Sequence, residues 1–217
     1  MTSYANYHAT RFSYDDRRAI LWETLARHAF QIYVPPDGAV LELGAGYCDF
    51  INRIEAAKKY ALDLWPGMVE HAAPGVRTIV GDFTGVDEIP DGSLDLIFAS
   101  NLFEHVTQEA LATCIRSAKL KLKPGGRLIA LQPNYKYAYA DYFDDYTHIS
   151  VWSHISLSDF FRAQGLRIER VAPRFLPLTV KSSLPVHPLL IRAYLASPIK
   201  PMGKQMLVVA NVPETSK

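Results

Sequence analysis

The segment Val40-Leu41-Glu42-Leu43-Gly44-Ala45-Gly46-Tyr47-Cys48-Asp49-Phe50-Ile51 limits the possible folds of this chain more than any other. An apolar run that ends near a carboxylate passes into glycines at i and i+2, and a helix start follows. Such a loop lets backbone approach a ligand closely at the carboxyl edge of a parallel sheet, where open α/β folds bind small molecules. A dinucleotide site needs a third glycine three residues further on, so that the helix N-terminus can meet a pyrophosphate. Asp49 holds that position. A carboxylate there suits the helix dipole but repels a phosphate. The loop therefore reads as a nucleoside site without a phosphate.

The flanking pattern agrees with an α/β chain. Spacing predicts an amphipathic helix over residues 15–30, a turn at Pro35-Pro36-Asp37-Gly38, a strand over 39–43 and a helix over 49–57. Strands follow at 60–63, 76–80, 94–99 and 127–131, with a short helix from Pro66 and a longer one over 107–123 that Pro124-Gly125-Gly126 stops. A helix over 158–164 precedes two last strands, 167–171 and 205–210, expected to pair as a hairpin-like return; a short helix is read at 189–195. Strand and helix alternating through short loops predict a doubly wound, mostly parallel seven-stranded sheet, with an antiparallel last strand and an N-terminal helical cap. The chain reads as one domain: cap 1–34, ligand-binding core 39–132, and substrate-side insertions at 133–155 and 173–204.

Three carboxylates fall at the ends of three successive predicted strands. Glu42 ends the first beside the glycine loop. Asp63 ends the second, where a carboxylate can accept from both hydroxyls of a ribose. Asp82, between Gly81 and Phe83, ends the third, where it and an aromatic neighbour suit an adenine. Their mutual repulsion calls for a ligand rich in donors. S-adenosyl-L-methionine offers an amine, two hydroxyls and a sulfonium, and is the expected cofactor, with S-adenosyl-L-homocysteine as its product.

These residues resemble the class I S-adenosylmethionine-dependent methyltransferases, the large family that includes ubiquinone and small-molecule O-methyltransferases. Leu41–Gly46 matches the family's glycine motif, Asp63 its ribose acid and Gly81-Asp82-Phe83 its adenine motif. Leu94-Asp95-Leu96-Ile97-Phe98-Ala99-Ser100-Asn101-Leu102-Phe103-Glu104-His105-Val106 matches the fourth-strand block, and Leu122-Lys123-Pro124-Gly125-Gly126-Arg127-Leu128 the turn before the fifth strand. Cys48 stands where the family usually has glycine. The resemblance implies cofactor contacts from Glu42, Gly44, Ala45, Gly46, Asp63, Leu64, Gly81, Asp82, Phe83, Asn101 and Leu102. It covers roughly residues 39–132 and is silent on the methyl acceptor.

The expected reaction is methyl transfer to a small molecule, most simply to a hydroxyl of an aromatic, sugar or lipid-linked compound. A binding module without turnover and an N-methyltransferase acting on an amine or protein are the alternatives. A hydroxyl acceptor calls for a general base. His148, with Asp145 or Asp144 to orient it, is the first candidate, and His105 the second. The Glu104-His105 pair reads as structural, although in some relatives such residues bind a divalent metal; no metal is expected. His154 is read as a helix cap, and Arg17 and Arg18 as surface charges, with a lid over the cofactor as the alternative. Tyr135, Tyr137 and Tyr139, spaced by two, fit a strand; with Tyr4, Tyr7, Tyr14, Tyr142 and Tyr146 they favour an amphipathic acceptor.

Composition excludes several other classes. The 217 residues carry a net charge of +1 without a basic block, so no nucleic-acid partner is expected. Two cysteines make neither a disulfide framework nor a zinc site. With no leader-like start and no apolar run near 18 residues long, a cytoplasmic monomer or homodimer is expected. Residues 177–195 are the one candidate for weak membrane-surface contact.

Overall fold

A computed structural model of the chain describes residues 16–83, 85–177 and 186–214. Tyr4, Tyr7 and Tyr14, and residues 178–185 of the second insertion, lie outside the described residues. Seven strands form one sheet: β1 (Ala39–Leu43), β2 (Lys58–Asp63), β3 (Val76–Val80), β4 (Leu94–Ser100), β5 (Leu122–Pro133), β6 (Arg167–Pro177) and β7 (Gly203–Asn211). Their order is β3-β2-β1-β4-β5-β7-β6. The first five run parallel, and β7 lies antiparallel to both β5 and β6. The two last strands do pair, and the later of them sits inside the sheet.

The helices are α1 (Asp16–Leu25), α2 (Gln108–Lys121), the four-residue α3 (Tyr135–Ala138), α4 (His154–Ala163) and α5 (Pro188–Ala196). Because strand side chains alternate between faces, β1 and β4 feed two cores. Leu41, Leu43 and Ile97 pack with Leu111, Ile115 and Phe161 on the side of α2 and α4. Val40, Leu96 and Phe98 pack with Trp22, Phe30 and Phe50 on the side of α1. There Phe50 stacks on Phe98 at 4.0 Å, and Phe30 meets Phe98 edge-on at 4.9 Å. Truncating a ring in such a cluster typically costs about 3–5 kcal/mol, so the N-terminal helix is part of the fold.

Four local readings are corrected. The segment expected as a helix over 49–57 is a run of turns, because Cys48 is left-handed (φ 58°) and the bonds mix i−4 (Asn52 N to Cys48 O) with i−3 (Arg53 N to Phe50 O). The helix expected over 107–123 ends at Lys121, and Leu122 already pairs with Leu94; the Pro-Gly-Gly segment lies where this pairing shifts register, inside β5. Tyr135 and Tyr137 lie in α3, capped by the Asn134 side chain at the Lys136 N–H, and not in a strand. The helix expected over 158–164 begins at His154; its cap is Ser153, which forms a capping box with Ser156.

Candidate active site

Strand winding brings the carboxyl ends of β1, β2, β3 and β4 to one edge, and the glycine loop leaves from β1. Gly44 (φ 65°) and Gly46 (φ 49°) are both left-handed, which glycine adopts at no steric cost. The Gly44 and Ala45 N–H groups both donate to Leu62 O, at 2.8 and 3.1 Å. A Cβ on Gly44 would lie 3.0 Å from Leu102 Cδ1, so Leu102 closes directly over the loop. Asp63 then fastens it: Oδ2 accepts from Gly46 N and Oδ1 from Trp65 N, both at 2.8 Å. Each carboxylate oxygen keeps a second lone pair for a further donor.

Glu42 is buried, and its Oε2 accepts from Ile51 N at 2.9 Å, bracing the turn after the loop. Burial raises its pKa well above the usual carboxylate range; the Ile51 hydrogen bond opposes this, while Asp49 and Asp63 add to it. Asp49 is held by Arg18, whose Nη2 and Nε donate to Oδ2 at 2.6 and 3.0 Å, with Arg53 Nη1 3.4 Å from Oδ1. Arg18 is thus a tie between α1 and the loop and not a surface charge. Burial pushes the Cys48 thiol up to about 12, so this cysteine packs as an inert apolar group.

The remaining expected contacts are placed less closely. Gly81 N donates to Asp63 O at 2.9 Å, and Asp82 is exposed at the end of β3. Phe83 is half-buried and lines a small cleft with Leu43, Val86 and Cys114. Leu64 is exposed. Asn101, left-handed at φ 49°, ends β4 and accepts from Gln205 Nε2 at 2.9 Å.

A second cluster forms beyond β4, where the turn Phe103–His105 meets the insertion after β5. The rings of His105 and His148 stand 4.8 Å apart between centroids. Thr147 Oγ1 donates to Asp145 Oδ1 at 2.5 Å, and Thr147 N reaches the same oxygen at 3.0 Å. With its proton so placed, Thr147 Oγ1 is an acceptor for His105 Nδ1, 3.0 Å away. His148 Nδ1 lies 2.5 Å from Tyr142 O, a carbonyl that can only accept. Nδ1 of each ring therefore carries a proton. Asp145 acts on His105 through Thr147, and the Tyr142 carbonyl orients His148.

Electrostatics separate the members of this cluster. Burial, helped by His148, lowers the His105 pKa to about 4, so the ring is neutral at neutral pH. Burial raises Asp145, but the Thr147 hydrogen bonds and the two histidines outweigh it and hold the carboxyl below its ordinary value. Glu104 is fully buried; neither carboxylate oxygen has a hydrogen-bond partner among the described residues, and burial pushes it up to about 8. Its backbone carbonyl accepts from Ile149 N and Ser150 N at 2.9 and 3.0 Å, which pins the insertion against the turn. Nearby Tyr139, Phe143, Tyr146, Ile149, Val151 and Ile155 expose apolar surface.

Residues 41–130 match a family model described as a methyltransferase domain. A malonyl-[acyl-carrier protein] O-methyltransferase of Dechloromonas aromatica (strain RCB) is 33% identical over 149 residues, which cover 63% of this chain and 54% of that protein. The chain therefore spans about half the length of this relative. A SAM-dependent methyltransferase structure from Archaeoglobus fulgidus superposes with a TM-score of 0.67 at 19% identity, covering 97% of this chain and 100% of that one. One from Aquifex aeolicus superposes with a TM-score of 0.60 at 16% identity, covering 91% and 94%.

Residues 41–130 carry a methyltransferase domain.

The glycine loop fits S-adenosylmethionine by an observation of its own. Gly44 leaves bare backbone where a Cβ would crowd Leu102, Gly46 beside it is left-handed too, and Asp63 stands at the rim with acceptor capacity to spare. Sequence reasoning missed an aromatic group beside it. Trp65 stacks with His71 at 5.5 Å, and Tyr47 meets His71 edge-on at 4.7 Å. The signal lay in the sequence, since Trp65 follows Asp63 by two residues and Tyr47 follows Gly46 directly. Among the described residues no helix is long and apolar enough to cross a membrane.

Proposed function

We propose that this protein transfers the methyl group of S-adenosylmethionine to an oxygen atom of a small apolar or aromatic acceptor, and that the acceptor atom lies at the His105–His148 cluster. On this reading Asp63 accepts from the ribose hydroxyls, Gly44, Ala45 and Gly46 underlie the cofactor, and Glu42 lies toward its amino-acid end. Asp82, Phe83, Leu64, Asn101 and Leu102 then surround the base. The cofactor supplies an electrophilic methyl on a sulfonium with a neutral leaving group. Holding the nucleophile in line can supply much of the rate, since oriented pairs reach effective molarities of about 10⁵ M and above.

The observation that carries the acceptor reading is the pair of imidazoles, each anchored through an Nδ1 proton, with His105 held neutral by burial so that its lone pair lies on Nε2. Such a base removes the proton of a hydroxyl, whether on an aromatic, a sugar or a lipid-linked compound. The exposed apolar side chains of 139–155 suit such compounds better than a small charged one. A second reading, a carboxylate on an acyl chain, is favoured by the relative that methylates a malonyl thioester carrier. A carboxylate is already a nucleophile and has no need of the base. A soluble protein acting alone or as a homodimer, without a nucleic-acid partner, completes the proposal.

The test uses purified protein, methyl-labelled S-adenosylmethionine and a panel of phenols, sugars, prenyl alcohols and acyl carboxylates. Label that survives mild alkali is an ether and supports the hydroxyl reading. Label released as methanol is an ester and supports the carboxylate. Label only in amines overturns both, and cofactor binding without transfer to any acceptor in a whole-cell extract leaves a binding module.

A further inference from the structure

We propose that Glu104, His105 and His148 form a binding site for one divalent first-row transition cation. One ligand atom from each residue lies within 4.8 Å of the others, a spread that a single ion at its centre can close. The site comes from two segments: Glu104 and His105 from the turn after β4, and His148 from the insertion after β5.

The first argument is the orphaned carboxylate. Glu104 is 0% exposed, and neither of its oxygens has a hydrogen-bond partner among the described residues. Leaving such a group buried and unmatched costs free energy, so buried carboxylates are found paired or on metals. The described neighbourhood supplies no cationic side chain to it, whereas two imidazoles stand beside it. A cation shared among the three offsets the carboxylate's desolvation and completes its coordination.

The second argument is the outer contacts. Metal-bound histidines almost always donate the other ring N–H to a carbonyl, carboxylate or water, which fixes the tautomer and aims the lone pair. His148 Nδ1 is 2.5 Å from the Tyr142 carbonyl, and His105 Nδ1 is 3.0 Å from Thr147 Oγ1, itself bonded to Asp145. Both rings are thus anchored at Nδ1, which makes Nε2 the coordinating nitrogen. Buttressing continues outward, since the Tyr142 hydroxyl donates to Ser150 O at 2.7 Å and Ser150 N donates to the Glu104 carbonyl.

Ligand type sets the ion class. Magnesium and calcium take oxygen ligands, whereas two imidazoles with one carboxylate suit manganese, iron, cobalt, nickel or zinc. Three protein ligands leave coordination positions open, which an oxygen-bearing acceptor or water can take. The inference revises one part of the proposed function: an ion held by both histidines would take the Nε2 lone pairs a general base needs, so a hydroxyl acceptor would be activated on the ion and not by a free imidazole, and the site itself stands whether the acceptor is a hydroxyl or a carboxylate.

The experiment is a cobalt(II) titration of chelator-stripped protein, read by visible absorption, with bound zinc counted by elemental analysis after dialysis. It requires neither cofactor nor acceptor, so its failure is separate from failure of the methyl-transfer reading. Wild type is expected to bind one ion per chain. Glu104→Gln and His148→Ala are expected to weaken binding by more than about tenfold, and Thr147→Val by about 10–100-fold through the outer contact. His28→Ala, at an exposed position of the N-terminal segment, leaves it unchanged. Circular dichroism confirms that each variant is folded, and His148→Gln replaces the alanine variant if that one unfolds. No saturable binding by wild type overturns the site, as does binding that survives either ligand substitution undiminished.

Discussion

The two edges of this site are built by different means. The cofactor edge uses backbone: glycines at left-handed angles, amides on Leu62 O, and one aspartate tying the loop to β2. Its parts sit at consecutive strand ends, so the winding of the sheet assembles them. The proposed acceptor edge uses side chains separated by 42 residues, His105 and Thr147, joined through a network in an irregular insertion. A backbone-built site serves one ligand and tolerates change around it. One built from side chains on an insertion is free to change its ligand while the sheet stays the same.

That contrast can be broken by substitution. His148→Ala is expected to lower turnover on a hydroxyl acceptor by about 10²–10⁴-fold while cofactor affinity, measured by calorimetry, stays level; a parallel loss of affinity would mean the edges are not separate. Asp63→Ala removes the acceptor for the Gly46 and Trp65 amides together with the proposed ribose contact. It is expected to weaken cofactor binding about 100-fold, given that hydrogen bonds to charged groups contribute about 1.5–3 kcal/mol each. Retained affinity would return Asp63 to a purely structural role.

A smaller effect concerns pH. In chelator-treated protein, Glu104 has a folded pKa of about 8 against an ordinary 4.5, so the folded state binds more protons between those values and stability falls as pH rises through that window. His105 has the opposite sign: lowered to about 4 from 6.5, it makes stability fall as pH drops through that range. Glu104→Gln is expected to remove the alkaline slope of the melting temperature and keep the acidic one; an unchanged alkaline slope assigns it to another group. The smallest change is expected for Arg18→Ala. Asp49 retains Arg53 as a partner, so the loss is about 1–2 kcal/mol by denaturant unfolding. A large loss of cofactor affinity in this variant would show that α1 belongs to the cofactor edge.

Legibility followed the same division. β1 and β3 lie where spacing placed them, and β2 and β4 within two residues; β1 and β4 are short, largely buried apolar runs bounded by turn residues, and β2 and β3 end at turn residues. The family resemblance was legible for the same reason: Gly44, Gly46, Asp63 and Asp82 are local signals. The helix expected after the loop failed because a left-handed Cys48 is a property of the folded backbone that side-chain periodicity does not report. β6 was underestimated because it runs on to Pro177 through register shifts against β7. At the acceptor edge, His105 and His148 could be named as candidates from residue type. The hydroxyl bridging Asp145 to His105, the carbonyl behind His148 and the unmatched carboxylate of Glu104 are tertiary facts, and nothing in the order of residues announces them.

The position of β7 between β5 and β6 bears on how the molecule is made. Synthesis delivers β6 about thirty residues before the strand it must pair with. Until Gly203–Asn211 emerges, β5 presents an unpaired edge and β6 has no place in the sheet. Both are the kind of exposed ladder that invites association with other chains. β7 therefore acts as a keystone of the sheet, and the interval before its arrival is when both ladders stand open.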